Sequence, residues 1–118
     1  MYNINTIEEL DQFIIDNKSN VILLYFGAYW CGPCTLLKNR LSDNETKNRL
    51  PLLKICYIDV DINQTICTIY DINSLPTLIF IKLEYDKVIT VSKIIGSDYT
   101  KLLLEYDNYV INYMKKID

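Results

Sequence analysis

The segment Trp30-Cys31-Gly32-Pro33-Cys34 sets two thiols three positions apart, between a continuous apolar run and a stretch with helical spacing. Two cysteines so placed at a helix start have a defined chemical use. The first lies beside unpaired amide N–H groups and the positive end of the helix dipole, which stabilise a thiolate. The second lies one turn further in, less exposed, and close enough to close a disulfide with the first. Cys31 is therefore the expected nucleophile toward a substrate disulfide. Cys34 is the expected resolving thiol, which breaks the mixed disulfide and releases the reduced product. Pro33 near the helix start costs no hydrogen bond, and Gly32 lets a partner approach closely. The same spacing also serves zinc, but a structural zinc site draws its ligands from two such pairs or from one pair with histidines. Histidine is absent, and Cys56 and Cys67 share no pair spacing, which argues against a metal.

The elements that must hold the pair are legible on either side. Val21 to Phe26 reads as a strand buried on both faces, ending at Gly27. A helix is expected from near Cys31 to beyond Leu41, with Leu36, Leu37 and Leu41 inward, and Pro51 closes that region. Upstream, Thr6 and Glu9 have capping-box spacing and Ile7, Leu10, Phe13 and Ile14 share a helical face. That predicts a helix over 7–17, after a short strand at 2–4. Downstream, 52–59 reads as a buried strand and 63–71 as a short helix. Residues 78–81 and 88–94 read as strands joined by the turn Glu84-Tyr85-Asp86-Lys87. After Gly96, Ser97 or Asp98 can cap a last helix whose stripe is Leu102, Leu103, Tyr106, Val110, Tyr113, Met114 and Ile117. The order implies an α/β fold, a central mixed β-sheet flanked by helices on both faces, with an antiparallel hairpin at one edge.

Length and charge agree with one domain over residues 1–118. A net charge of −3, from 12 basic and 15 acidic residues mixed along the chain, argues against nucleic acid and against a polybasic membrane anchor. No stretch approaches the roughly 20 apolar residues of a membrane span. The start, Met1 to Thr6, has no basic n-region, apolar h-region or cleavage site, so a cytoplasmic protein is expected. In a reducing compartment the four cysteines are free or catalytic thiols, not staples. Cys56, in a strand, reads as apolar packing, and Cys67, in a short polar helix, as the more exposed thiol. Asp59 and Asp61 read as marking a strand end and a helix start.

Phe26, Ala28, Trp30-Cys31-Gly32-Pro33-Cys34, Ile58-Asp59-Val60-Asp61, Leu75-Pro76-Thr77 and Gly96 occur in the order and approximate spacing of the thioredoxin family, which the chain resembles over nearly its whole length. The resemblance implies a thioredoxin-like fold and a protein-disulfide reductase working through a reversible Cys31–Cys34 disulfide, with no other cofactor. It implies that Pro76 is cis and faces the pair, and that Leu75 offers backbone groups to an extended substrate segment. Thr77 would open the next strand, Gly96 would lie beside the substrate groove, and Trp30 would flank the site as an apolar contact. The implied partners are disulfide-containing proteins and a thioredoxin reductase or equivalent thiol donor, met by a monomer.

The chain also departs from the family. The buried aspartate usual before the pair is Tyr25, and the lysine that accompanies it is Tyr57. Replacing both together is coherent, since a buried charge without its partner is costly. A phenol with a pKa of about 10 is no base at neutral pH, so Cys34 is expected to lose its proton to water or to the departing thiolate. No tryptophan stands among Gly27, Ala28 and Tyr29, Thr35 replaces a lysine, and Asn39 replaces a helix-kinking proline. These departures leave a second reading open: a thioredoxin-like docking module whose redox chemistry is dispensable.

Overall fold

The computed structural model describes residues 1–113. Five strands form one sheet in the order β1-β3-β2-β4-β5: β1 (Tyr2–Asn3), β2 (Ile22–Gly27), β3 (Lys54–Asp59), β4 (Thr77–Glu84) and β5 (Lys87–Ile95). The first three run parallel, and β4 and β5 are antiparallel to their neighbours. All of β2 is buried, as its unbroken apolar run requires of a strand covered on both faces. Its side chains divide the core: Leu23 and Tyr25 pack with Leu37, Leu41, Leu102 and Tyr106 on one face. Ile22, Leu24 and Phe26 pack with Leu10, Ile14, Ile58 and Ile66 on the other.

Helix α1 (Ile7–Asp16) starts where the capping residues place it. The Glu9 N–H donates to Thr6 Oγ1 at 3.1 Å, and the Glu9 carboxylate accepts from the Asn5 N–H at 2.9 Å. Helix α2 (Gly32–Ser42) runs unbroken past Asn39 and buries Cys34, Leu37 and Leu41, at i, i+3 and i+7. Leu36 is not inward as the spacing suggested: it is 74% exposed, because the buried stripe passes one position to its side. A separate α3 (Asn44–Arg49) follows, unanticipated from the sequence. Asp43 ends α2 in an extended conformation and accepts from the Thr46 N–H at 2.9 Å to cap α3.

Strand β3 starts two residues later than expected, after a turn at Pro51–Leu52. Helix α4 (Gln64–Ile69) is shorter than expected, and Asn63 before it does not cap it. The Asn63 amide donates instead to the carbonyls of Ile4 and Asp59, both at 3.0 Å, tying β1 to the end of β3. Strands β4 and β5 extend to a two-residue turn, since Tyr85 and Asp86 both take positive φ (51° and 62°), the geometry of a tight hairpin. Asp98 caps α5 (Tyr99–Glu105), accepting from the Lys101 N–H at 3.0 Å; Ser97 does not. The helix widens to π geometry over Tyr106–Ile111. Leu102, Tyr106 and Val110 of the expected stripe are buried, whereas Met114 and Ile117 lie outside the described residues.

Candidate active site

The cysteine pair sits where β2 hands over to α2. Strand β2 ends at Gly27, and the chain turns through Ala28, Tyr29 and Trp30, with the Cys31 N–H donating to the Ala28 carbonyl at 3.2 Å. Cys31 is the N-cap of α2 in extended conformation, and its Sγ accepts from the Cys34 N–H at 3.2 Å. The helix thus aims an otherwise unpaired amide at the Cys31 sulfur, an arrangement that favours a thiolate there. Cys31 and Cys34 are joined as a disulfide, their Cα atoms 5.2 Å apart. The two are unequally placed: Cys31 is 7% exposed and Cys34 1%. Gly32 has open space where a Cβ would stand, so a partner's backbone meets no obstacle there.

An apolar groove of about 530 Å³ opens on the Cys31 side, walled by Trp30, Pro33, Val60, Cys67, Ile72 and Leu75. Trp30 is 60% exposed, yet its indole is held, because Nε1 donates to Asp61 Oδ2 at 2.8 Å. Asp61 is itself anchored through its N–H to Asp59 Oδ1 at 2.9 Å. Asp59 ends β3 as expected, but Asp61 lies in the turn ahead of α4 and serves Trp30. The Leu75–Pro76 peptide is cis, and Leu75 packs against Cys31, Cys34 and Ala28. Gly96 takes φ +98° and its N–H donates to the Pro76 carbonyl at 2.8 Å, joining the end of β5 to the start of β4. Cys31, Trp30, Pro33 and Leu75 therefore meet in one groove, while Pro76 and Gly96 do not line it and pair with each other ahead of β4. Val60, Cys67 and Ile72 carried no signal of this role in the sequence, since single apolar residues at a turn and a short helix read only as packing.

Behind the pair, the Tyr25 hydroxyl donates to the Cys34 carbonyl. Its ring lies 5.3 Å from that of Tyr57, and Lys38 Nζ sits 3.8 Å over the Tyr57 ring. Burial, with the neighbouring Tyr57, pushes the Tyr25 phenol well above its ordinary range; burial also raises Tyr57, helped by Asp59 and Asp61. Both are uncharged at neutral pH. Gly27 makes their packing possible: a Cβ there would stand 2.9 Å from Tyr25 Cε1 and 3.3 Å from both Cys34 Cβ and Tyr57 Cε2. Cys56 is fully buried, and burial pushes its thiol up to about 12, which keeps it inert. Cys67 is half-buried, its thiol raised by burial and then by Asp59.

The thioredoxin family model matches residues 3–108 of the chain. Thioredoxin-T of Drosophila melanogaster is 34% identical over 84 residues, covering 70% of this chain and 52% of that protein. Thioredoxin-1 of Caenorhabditis elegans is 32% identical over 74 residues, covering 63% of each. The matches thus span less than two thirds of the length of either relative. Among solved structures, Trichomonas vaginalis thioredoxin superposes with a TM-score of 0.81 at 26% identity, over 92% of this chain and 96% of that one.

Proposed function

This chain belongs to the thioredoxin family, and from that premise we propose that its 118 residues act as one domain that reduces protein disulfides through Cys31 and Cys34. The observation that carries the reading is the placement of a redox pair at the N-terminus of α2, with one member facing an apolar groove and the other enclosed.

In the reduced protein the Cys31 thiolate, stabilised by the helix amides, attacks one sulfur of a substrate disulfide. The substrate S–S bond breaks, its second sulfur leaves as a thiolate, and a Cys31–substrate disulfide forms. Cys34 then attacks Cys31 Sγ, closing the Cys31–Cys34 bond and releasing the substrate sulfur that Cys31 had attacked. Trp30, Gly32, Pro33, Leu75, Pro76 and Gly96 form the docking surface. The indole and Leu75 cover apolar side chains, the bare Gly32 admits backbone, and the 75–76 segment pairs with an extended strand. Electrons return from a thioredoxin reductase or an equivalent thiol donor. The pair and groove come from one chain, so a monomer suffices. A cytoplasmic setting suits two further cysteines left as free thiols. Among the described residues no helix is long and apolar enough to cross a membrane.

The test is reduction of insulin disulfides by dithiothreitol, followed by turbidity, with wild type, Cys31→Ser and no protein. Acceleration by wild type alone supports the reading. Equal rates in all three discard general reductase activity. The loss of the usual acid and lysine to Tyr25 and Tyr57 favours the docking module as second reading; in that case Cys31→Ser retains partner binding and wild type shows no turnover.

A further inference from the structure

The two sulfurs of the pair are reached from different openings. Cys31 lines the apolar groove and Cys34 does not; Cys34 lines a separate cleft of about 330 Å³, from which Cys31 is absent. Resolution requires Cys34 to lose its proton while a substrate bonded to Cys31 fills the groove. The groove side is then shut to water, and the proton leaves from the other side.

The phenols behind Cys34 cannot take it. Tyr25 donates its hydroxyl to the Cys34 carbonyl, and burial holds both Tyr25 and Tyr57 protonated. The charged side chains in the cleft are Lys38 from α2 and Asp59 from the end of β3, beside the phenols of Tyr29 and Tyr57. Asp61, two residues on, is turned to the Trp30 indole. Lys38 is held over the Tyr57 ring at 3.8 Å, and Asp59 is anchored by the Asp61 N–H at 2.9 Å. Among the described residues neither of the two belongs to an ion pair. The cleft therefore presents to Cys34 one fixed proton acceptor and one fixed cation.

We propose that the resolving thiol of Cys34 gives its proton, through water in this cleft, to the carboxylate of Asp59, while the Lys38 ammonium stabilises the thiolate that results. Resting on the disulfide-reductase reading above, the step balances as follows. The Cys34 S–H bond breaks and its proton passes through water to Asp59. The thiolate electron pair forms the Cys34–Cys31 bond, and the Cys31–substrate bond breaks with its pair leaving on the substrate sulfur. That sulfur takes a proton from water, and Asp59 returns its own to solvent. No outside oxidant or reductant enters. Asp59 is a positioning residue here, since it reaches the sulfur only through water, and it stands in for the buried acid that Tyr25 has displaced.

The experiment follows the reduced chain in stopped flow against dithiobis(nitrobenzoate), with Cys34→Ser as the blank for the second release. The first coloured thiolate reports attack by Cys31 and the second reports resolution by Cys34. In Asp59→Asn the amide oxygen still accepts from the Asp61 N–H, so the turn is kept. The first release is expected unchanged and the second slower by at least about a hundredfold near neutral pH, the low end for a positioned general base. The pH profile of the second release moves upward, because it then follows ionisation of the thiol alone. Asp59→Glu restores part of the rate, and Lys38→Gln slows only the second release. An unchanged second release in Asp59→Asn overturns the proposal, as does equal slowing of both releases, the mark of a structural defect. A wild-type chain that gives no second release overturns the reductase reading itself.

Discussion

The two faces of the sheet are filled by different chemistry. The face covered by α1 and α4 is mainly aliphatic: Leu10, Ile14, Ile22, Leu24, Ile58 and Ile66 pack with Phe26 around the inert thiol of Cys56. The face covered by α2 and α5 carries Tyr25, Tyr57 and Tyr106 among its leucines. Its buried hydroxyls are spoken for. Tyr25 donates to the Cys34 carbonyl, Tyr106 accepts from the Leu52 N–H at 3.1 Å, and Tyr99 at the margin pairs with Thr46 at 3.0 Å. A phenol can supply an interior hydrogen bond without a charge that must itself be matched, so this face approaches the cysteine pair with neutral hydroxyls. The aliphatic face also lends Val60, Cys67, Ile72 and Leu75 to the wall of the groove, whereas the phenolic face holds the first turn of α2. The charged side chains in the cleft beside Cys34 are Lys38 and Asp59.

The largest effect that separates the faces comes from Tyr25→Ala, expected to cost about 3–5 kcal/mol, against about 2–5 kcal/mol for Leu24→Ala on the neighbouring position. Denaturant titration measures both. Insulin reduction per folded molecule should fall for Tyr25→Ala and stay level for Leu24→Ala, and equal losses would erase the distinction. Next is Gly27→Ala, which drives a methyl into the Tyr25 and Tyr57 rings and is expected to cost about 1–3 kcal/mol. A melting temperature equal to wild type would show that the rings are not held as tightly as their packing indicates. Smaller still, Tyr25→Phe and Tyr106→Phe each remove one hydroxyl and should cost about 0.5–1.5 kcal/mol. Of the two, only Tyr25→Phe should alter the rate at which Cys34 resolves a mixed disulfide.

The last effect is confined to alkaline pH. The folded state holds the Cys56 thiol up to about 12, from an ordinary 9.0, and raises Tyr25 and Tyr57 as well, so the unfolded chain releases these protons first. Stability from these groups is then complete below about pH 9 and is lost as pH rises toward and through the folded values. Thermal scans over that window should show a falling melting temperature. Cys56→Ala flattens the part owed to the aliphatic face, and Tyr25→Phe the part owed to the phenolic one.

Much of this architecture is local and was legible in the residues. The capping of α1 by Thr6, the burial of β2, the capping of α5 by Asp98, and the pair at the start of α2 all follow from spacings of a few positions. Those signals depend on hydrogen bonds and apolar periodicity within one element, which a sequence displays directly. Short-range readings failed where a polar residue had two possible uses. Asp43 ends one helix and begins another, and Asn63 leaves α4 uncapped in order to bond Ile4 and Asp59. Leu36 faces solvent because helix orientation is set by the whole stripe that packs, not by each leucine in it. What the sequence alone determined, then, was the cysteine pair at the start of a helix and the α/β frame that presents it. Only the tertiary structure decided which opening serves which sulfur, how Trp30 is held by Asp61, and what surrounds Cys34 in place of the usual acid and lysine. Those relations join residues far apart in the chain, and such contacts exist only after the sheet has brought β2, β3 and α2 together.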